Sequence, residues 1–392
     1  MLTLNARAAD LTDMRELLLE RQARKVDVVA PASQIKFQDA QLVLSGVDPA
    51  IDERGVTTVN GKYRPTDIFD EGLSEKLGIP LAYVRRMRRE RPDLYDANAN
   101  GLLRGKYKRS SPNGPLVPVY PGDDRKFMLR LFAGDDTERG IARTILSDRY
   151  AVMDDLDVLT ATLDGINRAG VPVEVDGCDL TDRRMYIRIK APAVTALAPT
   201  LLAGYRSPFS GAAGADNPEV FAGFVVSNSE TGDGAFSITP RLIVRVCSNG
   251  MTMTKDAVKA VHLGGKIDQG VVRWSHDTIQ KNLEVVTAKA RDAVATFLDV
   301  EYMKEQIRLL EQKSGKPVEG KLDEHITQVT KKLGFDQEQQ DSVFAMFIKG
   351  GQLTAGGVMQ AVTAAAKDQK DADKAYDMES QALKALELSF AA

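Results

Sequence analysis

In the stretch Arg184 to Lys190 every second residue is apolar, and the residues between them are Arg184, Tyr186, Arg188 and Lys190. On a β-strand that alternation sends Met185, Ile187 and Ile189 to one face and the cations with the tyrosine to the other. Two further stretches repeat the pattern. In GIARTILSDRY, Arg143, Ile145, Ser147 and Arg149 alternate with Ala142, Thr144 and Leu146. From Phe236 onward, Ser237, Thr239, Arg241, Ile243 and Arg245 alternate with Phe236, Ile238, Leu242, Val244 and Val246. Arg241 and Arg245 would then project from one face roughly 13 Å apart, at about 3.3 Å per residue. The chemistry such faces suit is neutralisation of phosphates, with Tyr186 available to stack on a base. The competing reading is that long cations simply cover an exposed sheet.

A second basic segment lies earlier. Between Arg85 and Arg109 there are nine Lys or Arg and three acids (Glu90, Asp93, Asp96). Its candidate contacts are Arg85, Arg86, Arg88, Arg89, Arg104, Lys106, Lys108 and Arg109, since phosphate binding needs clustered cations. Leu73 to Met87 reads as a helix-turn-helix, with a turn at Gly78 and a second helix opening near Pro80. The pairs Arg85-Arg86 and Arg88-Arg89 wrap around that helix, which argues against a single recognition face.

Other chemistry finds little support. No glycine-rich loop matches a phosphate-binding or dinucleotide fingerprint. The histidines, His262, His276 and His325, have no ligand-spaced companions. Cys178 and Cys247 match neither a disulfide framework nor a metal motif. Asp154, Asp155 and Asp157 form the one tight acidic group, and the positive end of a helix explains them. No catalytic residue, metal or cofactor is therefore expected. The 392 residues carry a net charge of −3 with 43% apolar and 27% charged residues, an ordinary globular composition. Any polyanion site must come from local cation clusters. No stretch has the length of a signal peptide core or a membrane span, and a reducing, cytoplasmic setting is expected.

The elements that must position these residues give an α+β fold. Helical spacing predicts a helix from Asp10 to about Lys25, followed by short strands and a turn at Asn60-Gly61. Residues 110–124, with four prolines, read as a linker or extended crossing segment. Strands at RKFMLRLFAG and GIARTILSDRY precede a helix from about Asp154 to Arg168, and VPVEVDG and RRMYIRIKAP supply two more strands. Residues 191–220 read as a mobile loop. Phe221 to Thr254 forms a long hairpin whose turn residues Asn228, Ser229, Glu230, Thr231 and Asp233 do turn work. The remainder is helical, including about ten unbroken turns from Trp274. The expected division is a mixed N-terminal region (1–110), a β-rich core built on a curved, mainly antiparallel sheet with a packing helix (111–270), and a helical C-terminal region (271–392).

Three stretches also carry a resemblance: LGIPLAYVRRM with RPDLYDANAN, then ILSDRYAVMDDLDVL, then GFVVSNSETGDGAFSITPRLIVRVCSNGM with HLGGK after it. Over roughly residues 70–270 the chain resembles the phage- and plasmid-borne proteins of the domain-of-unknown-function family nine-three-two. That resemblance implies a bacterial host cytoplasm and supplies no catalytic residues. With the cationic strands it leads to an expectation of a non-catalytic, homo-oligomeric recombination protein. Such a protein would bind and anneal single-stranded DNA, on a plan similar to Rad52-like annealing proteins. The alternatives are a helix-turn-helix duplex-DNA regulator and an anti-defence protein acting on a host protein.

Overall fold

The computed structural model describes residues 5–52, 55–112, 114–134, 139–150, 153–253, 256–260 and 276–391. Strand β1 (Ala6–Ala9) leads into α1 (Leu11–Arg24), whose start is capped by the Asp10 side chain accepting from the Asp13 N–H. Six short strands follow: β2 (Lys25–Pro31), β3 (Ile35–Gln38), β4 (Gln41–Leu44), β5 (Ala50–Asp52), β6 (Gly55–Thr57) and β7 (Gly61–Pro65). Next come α2 (Asp67–Leu77), α3 (Leu81–Glu90) and α4 (Pro92–Arg104). The turn expected at Gly78 is there: Gly78 takes a left-handed conformation, φ 66°, and closes α2 through the Ser74 carbonyl.

Strands β8 (Lys106–Arg109) and β9 (Leu116–Tyr120) form a separate two-stranded ribbon. Then come β10 (Lys126–Phe132), β11 (Gly140–Ser147), α5 (Asp155–Ala169), β12 (Glu174–Leu180) and β13 (Met185–Leu197). A short α6 (Pro199–Leu202) precedes β14 (Glu219–Asn228), β15 (Phe236–Val244), β16 (Asn249–Thr252) and β17 (Val258–Ala260). The rest is helical: α7 (His276–Phe297), α8 (Val300–Ser314), α9 (Leu322–Lys332), α10 (Gln337–Gly350), α11 (Ala355–Asp368), α12 (Ala372–Ser380) and α13 (Ala382–Ala391).

The α+β class is as expected, with two main sheets. The larger has the order β1-β12-β13-β14-β15-β16, with β17 also on β15, and its pairings are antiparallel. The smaller, curled sheet has the order β2-β10-β11-β7-β4-β3 and is mixed, because β11 runs parallel to β7. One face of the large sheet buries Ile187, Ile189, Phe224, Val226 and Ile238 against helices that include α5, α7, α8 and α11. The small sheet packs Leu129 and Ile145 against Phe69 of α2, Val84 of α3 and Tyr95 of α4. Each such fully buried side chain contributes about 1.5–3 kcal/mol.

Several local expectations change. The small sheet joins β2 to β10, so the expected boundary at residue 110 runs through one sheet. Residues 110–124 are no simple linker, because β9 lies within them and pairs with β8. Residues 191–220 are no long loop: β13 continues to Leu197 and α6 follows. Asn60-Gly61 makes no hairpin, since the partner strands β4 and β7 are separated by the β5–β6 pair. The expected ten-turn helix breaks at Asp299, whose side chain caps α8 by accepting from the Tyr302 N–H. Trp274 and His262 lie outside the described residues.

Candidate nucleic-acid interface

The large sheet confirms the alternation of β13 but not the open cationic face. Tyr186, Arg188 and Lys190 do lie opposite the core, yet each has a partner. Tyr186 is fully buried, donates its hydroxyl to Asp373 Oδ1 at 2.7 Å, and packs its ring 4.7 Å from that of Tyr376. It is closed to stacking on a base. Arg188 pairs with Asp179, and Lys190 Nζ lies 3.1 Å from Glu174. Arg184 donates Nε to the Asp233 carbonyl at 3.1 Å and lies 3.5 Å from Asp377. Arg241 is buried against Glu379, with Asp176 3.4 Å away. Arg245 lies beyond β15, pairs with Glu219 and sits over the Phe221 ring. Burial alone would raise the Glu379 carboxyl, but Arg241 beside it holds it below the ordinary range. Apart from Glu219 on β14, these acids come from neighbouring strand β12 and from α12, so a strand that is cationic in sequence is neutralised in space.

The row on β11 belongs to the other sheet. Its alternation breaks at a bulge: Arg130 pairs with Thr144 and Leu131 with Ala142, leaving Arg143 extra. Arg143 is buried and pairs with Glu230 Oε2 at 2.5 Å, while Arg149, beyond the strand, is exposed. The cation-bearing rows therefore lie on two different sheets. Arg143 instead belongs to a buried polar junction between the sheets. Arg130 reaches Asp154 at 2.5 Å, Asp27 at 3.0 Å and the Glu230 carbonyl at 2.9 Å. Asn228 donates to Asp155 Oδ1, and the Asp155 N–H donates to Glu230 Oε1, both at 2.8 Å. So the segment after β14, expected as an exposed turn, docks one sheet onto the other. Ser229 still does turn work, accepting from the Asp233 N–H at 3.1 Å. Burial and the Glu230 charge push the Asp155 carboxyl up to about 8. Glu230 moves the other way: Arg143, Arg130 and Arg21 outweigh its burial. The acids at the start of α5 thus hold structure together. Among the described residues no group of His, Cys, Asp and Glu is placed to hold a metal ion.

The earlier basic segment divides in two. Arg85 and Arg88 face inward, pairing with Glu71 at 2.6 Å and with Asp70 at 2.6 Å, respectively. They fasten α3 to α2. Arg86 pairs with Glu90 at 2.9 Å on the surface. Among the described residues no acid pairs with Arg89, Arg104, Lys106 or Lys108, and all four are exposed; Arg109, also exposed, reaches the Gly114 carbonyl at 3.3 Å. The last three cations stand on the β8–β9 ribbon, exposed on both faces. Tyr107 is 50% exposed, Tyr120 47%, and Tyr83 on α3 46%.

Two glycines anchor the ribbon. Gly105 joins α4 to β8 at φ 68°, ψ −172°, a conformation open essentially to glycine alone. A Cβ there would lie 2.4 Å from the Gly122 nitrogen, and one on Gly122 would lie 2.5 Å from the Arg104 carbonyl carbon. The Asp123 N–H then donates to the Leu103 carbonyl at 3.1 Å. Sequence reasoning found the ribbon's cations but missed Tyr107 and Tyr120. The available signal was Tyr107 standing between Lys106 and Lys108.

No family model, curated protein or solved structure matches the chain. The ribbon and α3 therefore stand on their own geometry as the candidate interface, and no described helix is long and apolar enough to cross a membrane.

Proposed function

We propose that this protein binds single-stranded nucleic acid, without catalysis, along the outer side of α3, the end of α4 and the β8–β9 ribbon. The observation that carries this reading is the ribbon itself: exposed Lys106, Lys108 and Arg109 interleaved with exposed Tyr107 and Tyr120. Cations track a phosphate backbone and aromatic faces accept any base, so the combination suits a single strand of undemanding sequence. On the sequence resemblance alone, we further propose a phage- or plasmid-encoded member of the nine-three-two family acting in the cytoplasm of a bacterial host. There it would work in recombination as a homo-oligomer that anneals strands. Duplex binding is the second reading, because a two-stranded ribbon fits a major groove about 12 Å wide and the chain also carries the helix-turn-helix α2–Gly78–α3.

Fluorescence anisotropy of the full chain with dT oligomers and with duplex, across a salt series, tests both. The single-strand reading expects tighter binding to dT. It also expects Lys106→Ala with Lys108→Ala to lower the salt slope by up to about 1.4, at about 0.7 per phosphate contact. A preference for duplex moves the assignment to the second reading. Absence of binding to either at low salt overturns both.

A further inference from the structure

Helix α12 lies across the cationic face of the large sheet and presents carboxylates to it. Asp373 accepts from the Tyr186 hydroxyl, Asp377 lies beside Arg184, and Glu379 engages Arg241 with Nε–Oε1 at 2.6 Å. Asp373 and Asp377 are one turn apart, about 6 Å along the helix axis.

Charge makes the consequence concrete. The face carries five cations: Arg7, Arg184, Arg188, Lys190 and Arg241. Strand β12 sets three acids among them, Glu174, Asp176 and Asp179. Without α12 the face therefore holds two surplus positive charges. With Asp373, Asp377 and Glu379 all ionised it holds one surplus negative charge. Removing those three carboxylates reverses the sign that a polyanion meets.

The two ends of α12 are seated differently. At Glu379 the carboxylate is buried, held by Arg241 and by the Thr252 hydroxyl at 2.6 Å. The Asp371–Asp377 end is bordered by two cavities. One, of about 370 Å³, is lined by Arg183, Lys370, Asp371 and Asp373 among others. The other, of about 310 Å³, is lined by Arg183, Arg184, Asp233, Lys374 and Asp377 among others. Asp377 is exposed, and surface ion pairs of its kind contribute little. This end covers Tyr186 through the Asp373 hydrogen bond, the Tyr376 ring and buried Ala372, and of its two acids only Asp377 is a surface pair.

We propose that the face bearing Arg184, Tyr186, Arg188 and Lys190 is a second surface for a single-stranded sugar-phosphate backbone. In the free protein the acidic edge of α12 occupies the Arg184–Tyr186 end of it in place of phosphates, while Asp179 and Glu174 of β12 hold Arg188 and Lys190. The strand displaces the Asp371–Asp377 end of α12 while Glu379 keeps the helix attached at Arg241. The inference shares its ligand with the proposed function but rests on a separate site.

The test is the full-length Asp373→Asn, Asp377→Asn double variant, with Glu379 intact, titrated with dT oligomers across a salt series. The expected result is tighter binding and a slope increased by up to about 1.4, for two newly engaged phosphates at about 0.7 each. Adding Arg184→Ala and Arg188→Ala should remove the gain. Unchanged affinity and slope in the folded double variant overturn the proposal and leave α12 a permanent cover. Hydrogen exchange of the unmutated chain gives an independent reading. Amides of residues 372–380 should exchange faster with dT bound, and unchanged or slower exchange overturns the proposal even where the variant does not fold. The ribbon is tested separately. If Lys106→Ala with Lys108→Ala abolishes binding while the α12 variant changes nothing, the ribbon stands and the second surface falls. If the ribbon variant is neutral and the α12 variant binds tighter, the opposite holds.

Discussion

Arg241 and Glu379 meet as a two-pronged pair, Nε to Oε1 at 2.6 Å and Nη2 to Oε2 at 3.0 Å, across 138 residues of chain. The guanidinium passes over Gly250 on the neighbouring strand, where a Cβ would lie 1.8 Å from Arg241 Nε. The pair thus requires an arginine, a glutamate and a position without a side chain. Removing one member of a buried pair strands the other charge and typically costs about 3–5 kcal/mol. Arg241→Ala is expected to lose that much in urea unfolding at pH 7. Gly250→Ala should also destabilise, because Glu379 prevents the guanidinium from swinging aside. Wild-type stability in Arg241→Ala would mean that Glu379 is not held as a buried anion.

Asp155 gives a pH-dependent prediction. Its carboxyl ordinarily titrates near 3.8 and is raised to about 8 in the fold by burial and by Glu230. Between those values the folded chain holds a proton that the unfolded chain has released. The stability this group contributes is therefore complete below about pH 4 and is lost as pH rises through about 8. Glu230, shifted downward, acts oppositely and only as pH falls below its ordinary value of 4.5. Asp155→Asn can still accept from Asn228 and no longer titrates. Its unfolding free energy should therefore fall less than that of the unmutated chain between pH 5 and 8. Parallel curves for the two proteins over that range would place the proton elsewhere.

The parts of the fold that were legible in sequence are those decided within a few residues. The helix after Asp10, the Gly78 turn ahead of α3, and the alternation of Met185, Ile187 and Ile189 all depend on neighbours in the chain. What the cations face does not. Arg188 meets Asp179 only because β12 and β13 pair in that register, and Arg241 meets Glu379 only because the last helices fold back over the sheet. The bulge at Arg143 is likewise a property of two strands together, and it put that arginine in the junction between the sheets. Glu230 looked like a turn residue because the arginines that bury it lie elsewhere in the chain.

The ribbon's attachment can be tested through Gly105. Alanine there must hold φ near 68° with ψ near −172°, and its Cβ would meet Gly122. Backbone strain of this kind costs about 1–3 kcal/mol. Both faces of the ribbon are exposed, so the damage should stay local. Gly105→Ala is expected to speed tryptic cleavage after Lys106, Lys108 and Arg109 and to weaken dT binding, with little change in the main unfolding transition. A large drop in global stability without faster cleavage would show that Gly105 supports the core instead.

Tyr107 separates stacking from charge at the proposed interface. It stands between Lys106 and Lys108 with half its surface exposed and pairs across the ribbon with Pro118. Stacking of one base on an aromatic ring is worth about 1–3 kcal/mol, or roughly 5- to 150-fold in Kd. Tyr107→Ala should weaken dT binding within that range and leave the salt slope unchanged, because no cation is lost. Tyr107→Phe keeps the ring and should bind nearly as well as the unmutated chain. Anisotropy titrations of both variants at several salt concentrations provide the check. If phenylalanine is as damaging as alanine, the hydroxyl matters and stacking does not. If alanine is harmless, the strand contacts the ribbon through its cations alone, and the preference for single strands loses its physical basis.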